Sequence, residues 1–154
     1  MGSHSVPFRG IRGADGISRR YPLLPAFLEI HGIEQPTELL IDSGSDYSIL
    51  PQTLVREMFG VHVEDLPAGE TQRSLGATIR TRVLEGTIRF GSSRSRFEER
   101  IPFRVPDEPG ADLAFCIIGR EPFFTRHRID FRMGGEGQRR HGRFTVWSDR
   151  RAVG

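Results

Sequence analysis

The stretch Leu39-Leu40-Ile41-Asp42-Ser43-Gly44-Ser45-Asp46-Tyr47-Ser48-Ile49-Leu50-Pro51 decides how this chain folds. Its first three residues form an apolar run that is typical of a buried strand. The run carries the carboxylate of Asp42 into a turn of small residues, where Gly44 permits backbone conformations that other residues avoid. Burying a carboxylate is costly unless it is hydrogen-bonded or paired, so an acid at this place predicts a functional site.

The composition predicts a single, mostly β domain. The chain has 154 residues, of which 36% are hydrophobic, and it contains 18 Gly and 10 Pro. This length suits one domain with a modest core, and the frequent turn residues predict many short strands. A lone cysteine, Cys116, cannot form an internal disulfide and is expected to be a small buried hydrophobe.

The sequence gives no support for nucleic-acid binding, metal binding or a membrane span. All 22 basic residues are Arg, against 20 acids, and the acids are interleaved with the arginine clusters, so we do not expect a nucleic-acid partner. The five His residues are scattered without metal-ligand spacing, so no metal or other cofactor is implied. No apolar run approaches a membrane span and no signal-peptide core is visible, so the sequence predicts a cytoplasmic protein or a soluble domain of a longer one.

The pattern of apolar and turn residues places the elements. Residues 1–20, rich in Gly, Ser and Arg, are expected to be a flexible arm or expression-related sequence. A helix is predicted over 49–59 and a shorter one over 119–126, and a polar turn is expected over 92–99. Strands are predicted over 25–30, 37–41, 78–90, 100–105, 128–132 and 143–147, and a glycine-rich loop over 134–142.

A second segment strengthens the interpretation of the first. Cys116-Ile117-Ile118-Gly119-Arg120, followed by Glu121-Pro122-Phe123-Phe124, places an apolar strand and a Gly-Arg pair shortly before the C-terminal strands. Together with Asp42-Ser43-Gly44, it resembles the paired signatures of the retropepsins, the single-lobe aspartic proteases of retroviral type. The resemblance covers residues 21–149 and leaves 150–154 as a tail. It implies a retropepsin-like acid-protease barrel with one lobe per chain, short helices and a flap hairpin.

The resemblance implies that Asp42 is the catalytic residue of an aspartic endopeptidase. In such enzymes two neighbouring carboxylates share one proton and activate a water that hydrolyses the peptide bond. Since the chain has one such Asp-Ser-Gly segment, the resemblance also implies a homodimer in which each chain supplies one Asp42. The partners expected are therefore a second copy and a peptide or protein substrate.

Supporting roles follow from the same resemblance. The hydroxyl of Ser43 would reach across the dimer axis to the opposite loop, and Gly44 would let the substrate backbone approach. Ser45 would donate a hydrogen bond to the catalytic carboxylate. Asp46 and Arg120 would form an ion pair beneath the active-site loop and stiffen it.

The flap and the subunit contact are assigned on the same basis. Residues 66–77 form a predicted hairpin, whose flap residues would be Gly69, Thr71, Leu75 and Gly76; an ordinary surface hairpin is the alternative. The strand over 143–147 would join the subunits in an interleaved sheet, with Trp147 either at that interface or in the core. The alternative function is a peptide-binding or dimerisation module that keeps the fold without proteolysis.

Overall fold

The computed structural model describes residues 2–74, 77–108, 114–134 and 142–148. Strands dominate it, as the sequence predicts. The strands are β1 (Gly2–Pro7), β2 (Arg9–Arg12), β3 (Ser18–Tyr21), β4 (Leu23–Ile30), β5 (Ile33–Ile41), β6 (Gln72–Ser74), β7 (Ala77–Ile79), β8 (Thr81–Ser92), β9 (Ser95–Pro106), β10 (Cys116–Ile118), β11 (His127–Arg132) and β12 (Arg143–Ser148). The helices are α1 (Gln52–Phe59) and α2 (Phe123–Arg126), and a 3-10 turn covers Val63–Asp65.

A five-stranded sheet in the order β10-β5-β4-β8-β9 forms the body of the molecule. β4 and β5 form a hairpin with a tight turn at His31 and Gly32, both of which have positive φ (50° and 80°). Because this turn has only two residues, β5 begins at Ile33, four residues earlier than the strand that was predicted to begin at residue 37. β10 then pairs with β5 in parallel, with Ile118 opposite Ile41, and this pairing sets the position of the residues that follow Ile41.

The β8–β9 hairpin is longer than the sequence predicts. β9 begins at Ser95, whereas residues 92–99 were expected to be a polar turn. Alternate residues of β9, including Phe97, Glu99 and Ile101, face inward and are buried. The acidic residue at an inward position interrupts the apolar alternation, and this is why the first half of the strand was missed.

Residues 2–20 are not the flexible arm that the sequence suggests. β1 pairs antiparallel with β12, and β12 pairs antiparallel with β11, giving a second sheet in the order β1-β12-β11. Val6 and Phe8 are buried in the core, and β2 pairs with β3 as a separate hairpin. The polar composition of the segment hides this structure because its strands are held largely by backbone hydrogen bonds to distant partners.

Both predicted helices are present but begin later than expected. α1 starts at Gln52 and ends at Phe59, where the left-handed backbone of Gly60 (φ 64°) caps it, and it buries Val55 and Phe59. α2 covers only Phe123–Arg126. The core between the sheets includes the fully buried side chains of Phe103, Phe123, Phe144, Leu24, Leu28, Ile30, Leu39, Leu50, Ile88, Ile101, Ile118 and Val55. Cys116 is buried as predicted, and burial raises the pKa of its thiol.

Candidate active site

Asp42 lies immediately after β5, where β5 and β10 end side by side. Its backbone N–H donates to the carbonyl of Ile118 at 3.0 Å, which extends the parallel pairing by one residue. The N–H of Gly44 donates to Oδ1 of Asp42 at 2.9 Å. Asp42 is half-buried. The carboxylate is thus held by the backbone of its own loop, at the end of a buried strand as the sequence predicts.

The small residues of the loop do not all act as the resemblance implies. Oγ of Ser45 donates to the carbonyl of Tyr47 at 2.7 Å and not to the carboxylate of Asp42, so it stabilises the turn itself. An ideal Cβ at Gly44 would lie 3.2 Å from Oδ1 of Asp42, so the glycine leaves space beside the carboxylate. Ser43 is exposed, and its expected contact with an opposite loop remains a prediction.

The expected ion pair between Asp46 and Arg120 is present. It joins Nη2 of Arg120 to Oδ1 of Asp46, and both side chains are more than half exposed. An exposed pair contributes at most about 1 kcal/mol. The two segments are also joined by backbone bonds, from the N–H of Arg120 to Ser45 O (2.8 Å) and from the N–H of Glu121 to Asp46 O (2.9 Å). The two segments are therefore joined through their backbones as well as through the ion pair.

Ser48 and Gly119 complete this attachment, although no role for either residue was predicted from the sequence. Ser48 is fully buried, and its Oγ accepts the N–H of Gly119 at 3.1 Å. An ideal Cβ at Gly119 would lie 2.2 Å from the carbonyl oxygen of Tyr47, so only glycine fits between the two segments. The glycine of the Ile-Ile-Gly-Arg segment was a visible signal, but the sequence does not show what approaches it.

The predicted flap region contains a short hairpin, formed by β6 and β7. Gly69 lies at its base, where its N–H donates to Thr81 O at 2.8 Å, and an ideal Cβ would be 2.7 Å from Oγ1 of Thr81. Gly69 is therefore a close-packing position. Thr71 is exposed and precedes β6, whereas Leu75 and Gly76 lie outside the described residues.

A polar cluster that was not predicted joins the loop after Asp42 to the base of this hairpin. The hydroxyl of Tyr47 donates to Oε2 of Glu70 at 2.9 Å, and this bond raises the pKa of Tyr47. The guanidinium of Arg104 lies over the Tyr47 ring, 4.8 Å from its centroid. Oγ1 of Thr81 holds Glu70 by donating to its carbonyl at 2.8 Å. The hairpin base and the Asp42 loop therefore share hydrogen bonds within one chain.

A large cleft lies away from Asp42. It has a volume of about 1710 Å³ and opens between the β4–β5 and β8–β9 hairpins, and no residue of the Asp42 loop lines it. Glu99 and His127 are buried in its lining, with Nε2 of His127 3.1 Å from Oε1 of Glu99. Arg126 donates to the other oxygen of Glu99 at 2.7 Å. Burial lowers the pKa of His127, against the opposing effect of Glu99.

The described part of the chain contains neither a metal-binding cluster nor a membrane-spanning helix. Within the four described segments, no group of three or more His, Cys, Asp or Glu side chains is arranged to hold a metal ion. None of the helices described above has the length and apolar character needed to cross a membrane.

Comparison with solved structures identifies the fold. The chain is similar to a retropepsin-like aspartic protease from Rickettsia conorii, with a TM-score of 0.55, 14% identity, and coverage of 94% of this chain and 89% of that one. It also matches EIAV protease in complex with the inhibitor HBY-793, with a TM-score of 0.47, 19% identity, and coverage of 68% and 86%. No protein-family profile and no curated protein sequence matched. The fold is retropepsin-like, as the two sequence segments indicate.

Proposed function

We propose that this protein is an aspartic endopeptidase that works as a homodimer, with Asp42 of each chain as catalyst. The observation that carries the proposal is the placement of Asp42. A retropepsin-like fold holds this carboxylate at the end of a buried strand, and the Ile-Ile-Gly-Arg segment braces its loop. Within the described part of the chain, no cation forms an ion pair with Asp42, and its carboxylate accepts one hydrogen bond, from the N–H of Gly44, which leaves it able to hold a water or a second carboxyl group.

The chemistry requires a second carboxylate at hydrogen-bond distance. Two carboxylates that close cannot both ionise, so they share one proton. The ionised member takes a proton from a bound water, which attacks the scissile carbonyl carbon while the protonated member donates to the carbonyl oxygen. No covalent intermediate forms. Among the described residues no other acid is hydrogen-bonded to Asp42, and in the proposed dimer the second carboxylate is the Asp42 of the other copy.

The hairpin of β6 and β7 is proposed as the flap that covers a bound peptide. Its base is hydrogen-bonded to the catalytic loop through Tyr47 and Glu70, a contact that supports a hairpin positioned next to the site. Gly69 and Thr71 would lie in the flap's base, and Leu75 and Gly76 in its tip. Gly44 leaves space beside the carboxylate for the peptide backbone.

Replacement of the catalytic acid tests the proposal. Asp42→Asn should lower cleavage of an unfolded protein substrate at pH 4–7 by about 10²- to 10⁴-fold, because the general base is lost. The matched control is Asp65→Asn, the same change at an exposed acid outside the loop, which should retain full activity. Undiminished cleavage by Asp42→Asn would refute the proposal.

A ligand separates the enzyme from the alternative of a non-proteolytic module. A statine-type transition-state mimic should bind the wild-type protein and should bind Asp42→Asn much more weakly, since its hydroxyl replaces the water between the carboxylates. The alternative predicts a different result. A peptide-binding or dimerisation module would bind unmodified peptides without cleaving them and would not bind the mimic.

A further inference from the structure

The subunit contact expected from the resemblance conflicts with the pairing of β12. This strand lies between β1 and β11, with Val146 opposite His4 on one side and Ile129 on the other. Backbone donors and acceptors of a strand point to two edges only, and both edges of β12 are occupied within the chain. The strand over 143–147 therefore cannot join the subunits unless the terminal sheet is taken apart.

The edges of this sheet that remain open are the outer edges of β1 and β11. Within the residues described, nothing pairs with either of them. β1 ends in Pro7, which lacks a backbone donor, and proline is a common protection of edge strands. β11 contains no proline, and Phe131 on it and Met133 just after it are 45% and 76% exposed. The open edge of β11 is thus the better template for another strand.

β11 is also the strand that is closely connected to Asp42. Arg120 and Glu121 are hydrogen-bonded to the loop after Asp42, and only residues 122–126 separate them from the start of β11. β11 therefore follows the attachment of the catalytic loop within a few residues, and this favours a two-fold axis beside β11. An axis beside β1 has no such connection.

We propose that two copies of this chain join through the outer edges of β11, antiparallel, with Ile129 opposite Ile129 of the second copy. The inference rests on the homodimer of the proposed function and specifies its interface. The two terminal sheets would form one continuous sheet of six strands in the order β1-β12-β11-β11-β12-β1. Each chain keeps its own termini, and no strand is exchanged.

Charge selects this register. A two-fold axis perpendicular to the sheet keeps each residue of β11 and its copy on the same face. Because directly opposite residues also share a face, the axis must pass between one residue and the same residue of the second copy. Centring on Arg128 or on Asp130 opposes that charge with its own copy. With the axis at Ile129, Arg128 of each copy lies opposite Asp130 of the other, which gives two attractive pairs. With the axis at Phe131, Asp130 of each copy lies opposite Arg132 of the other. Within His127–Arg132, the register centred on Ile129 pairs five residues of each strand, whereas the register centred on Phe131 pairs three. The Ile129 register is therefore the more extensive of the two.

The experiment reverses the two charges separately. Alone, Arg128→Asp and Asp130→Arg should each weaken the dimer by about 10- to 100-fold, because two cross-strand attractions become repulsions. An equimolar mixture should form a heterodimer with an affinity within about 3-fold of wild type, since each new charge meets its opposite. Sedimentation equilibrium and native mass spectrometry report both results. The matched control is Arg100→Asp, a reversal on an exposed cross-strand pair of β8–β9, which should not affect dimerisation.

A cysteine pair provides a second measurement. Arg128 and Asp130 already form an ion pair within the chain at 3.3 Å, Arg128 also lies over the Trp147 ring, and Asp130 accepts a hydrogen bond from the Trp147 indole N–H at 2.8 Å. The charge variants therefore also change contacts within the chain, and a measurement that leaves both charges in place is needed. In a Cys116→Ala background, Ile129→Cys should form an intermolecular disulfide on oxidation, because directly opposite Cβ atoms lie about 5 Å apart. Phe131→Cys should not, because its copies would be about 13 Å apart.

Each outcome decides the proposal. Mixed-variant dimers together with the Ile129 disulfide support it, even if no peptide substrate is cleaved, so failure of the proposed function would be seen separately. Four results would overturn it: a monomeric wild-type protein, single variants that dimerise normally, rescue of Asp130→Arg only by Arg132→Asp, or a disulfide only at position 131. Normal dimers with full proteolysis in Arg128→Asp would retain the function and reject the interface.

Discussion

Gly119→Ala tests whether the backbone contact behind Asp42 organises the site. The new Cβ would lie 2.2 Å from Tyr47 O, 2.5 Å from the Tyr47 carbonyl carbon and 2.8 Å from Ser45 O. All three atoms belong to the backbone of the catalytic loop, so no side-chain rotation can relieve the contact. The loop must move by roughly 1 Å, at a cost of about 3 kcal/mol for overpacking a closely packed position.

This cost corresponds to a fall in Tm of about 6–12 °C for a domain of this size. A 1 Å displacement of the catalytic loop should also lower kcat/KM by about 10²-fold. Thermal unfolding followed by circular dichroism measures the first effect, and a peptide-cleavage assay measures the second. The matched control is Gly10→Ala, because nothing lies within 4 Å of an ideal Cβ there.

A Gly119→Ala protein with unchanged Tm would refute the steric reasoning. A protein with lowered Tm and normal activity would show that the loop tolerates the displacement, and would separate its packing from its catalytic geometry.

Two further changes test buried polar groups. Ser48→Ala removes the acceptor of a buried N–H and should cost about 1–3 kcal/mol in urea unfolding, whereas Ser93→Ala in an exposed turn should cost nothing measurable. Because the pKa of His127 is lowered in the folded state, the unfolded chain binds more protons below about pH 6.5, so stability should fall as the pH drops through and below that value. His127→Gln should reduce this loss and the exposed His62→Gln should not; equal pH profiles would contradict it.

Much of the fold is predictable from local patterns. The apolar run before Asp42, the period of α1 and the alternation of β8 each reflect the face that an element buries, so they can be recognised without knowledge of the partner. The pairing of Asp46 with Arg120 was anticipated from the resemblance to the retropepsins, which rests on the two segments that contain these residues.

Elements with weak local patterns were misplaced. The first half of β9 was missed because Glu99 occupies an inward position, which is tolerated since Arg126 and His127 contact its carboxylate. β1 was missed because its Gly, Ser and His residues show no apolar alternation, and the strand is held largely by backbone bonds to β12. The contacts of each depend on residues close in space and distant in the chain.

The sequence alone therefore determines the class of fold, the position of Asp42 and the elements that flank it, because strand and helix periodicity and the loop motif are local properties of the chain. Tertiary structure alone decided the partner of Ser45, the contact of Ser48 with Gly119 and the enclosure of β12 by β1 and β11. These depend on which backbone groups meet when segments far apart in the chain pack together. No periodicity within a segment encodes that choice.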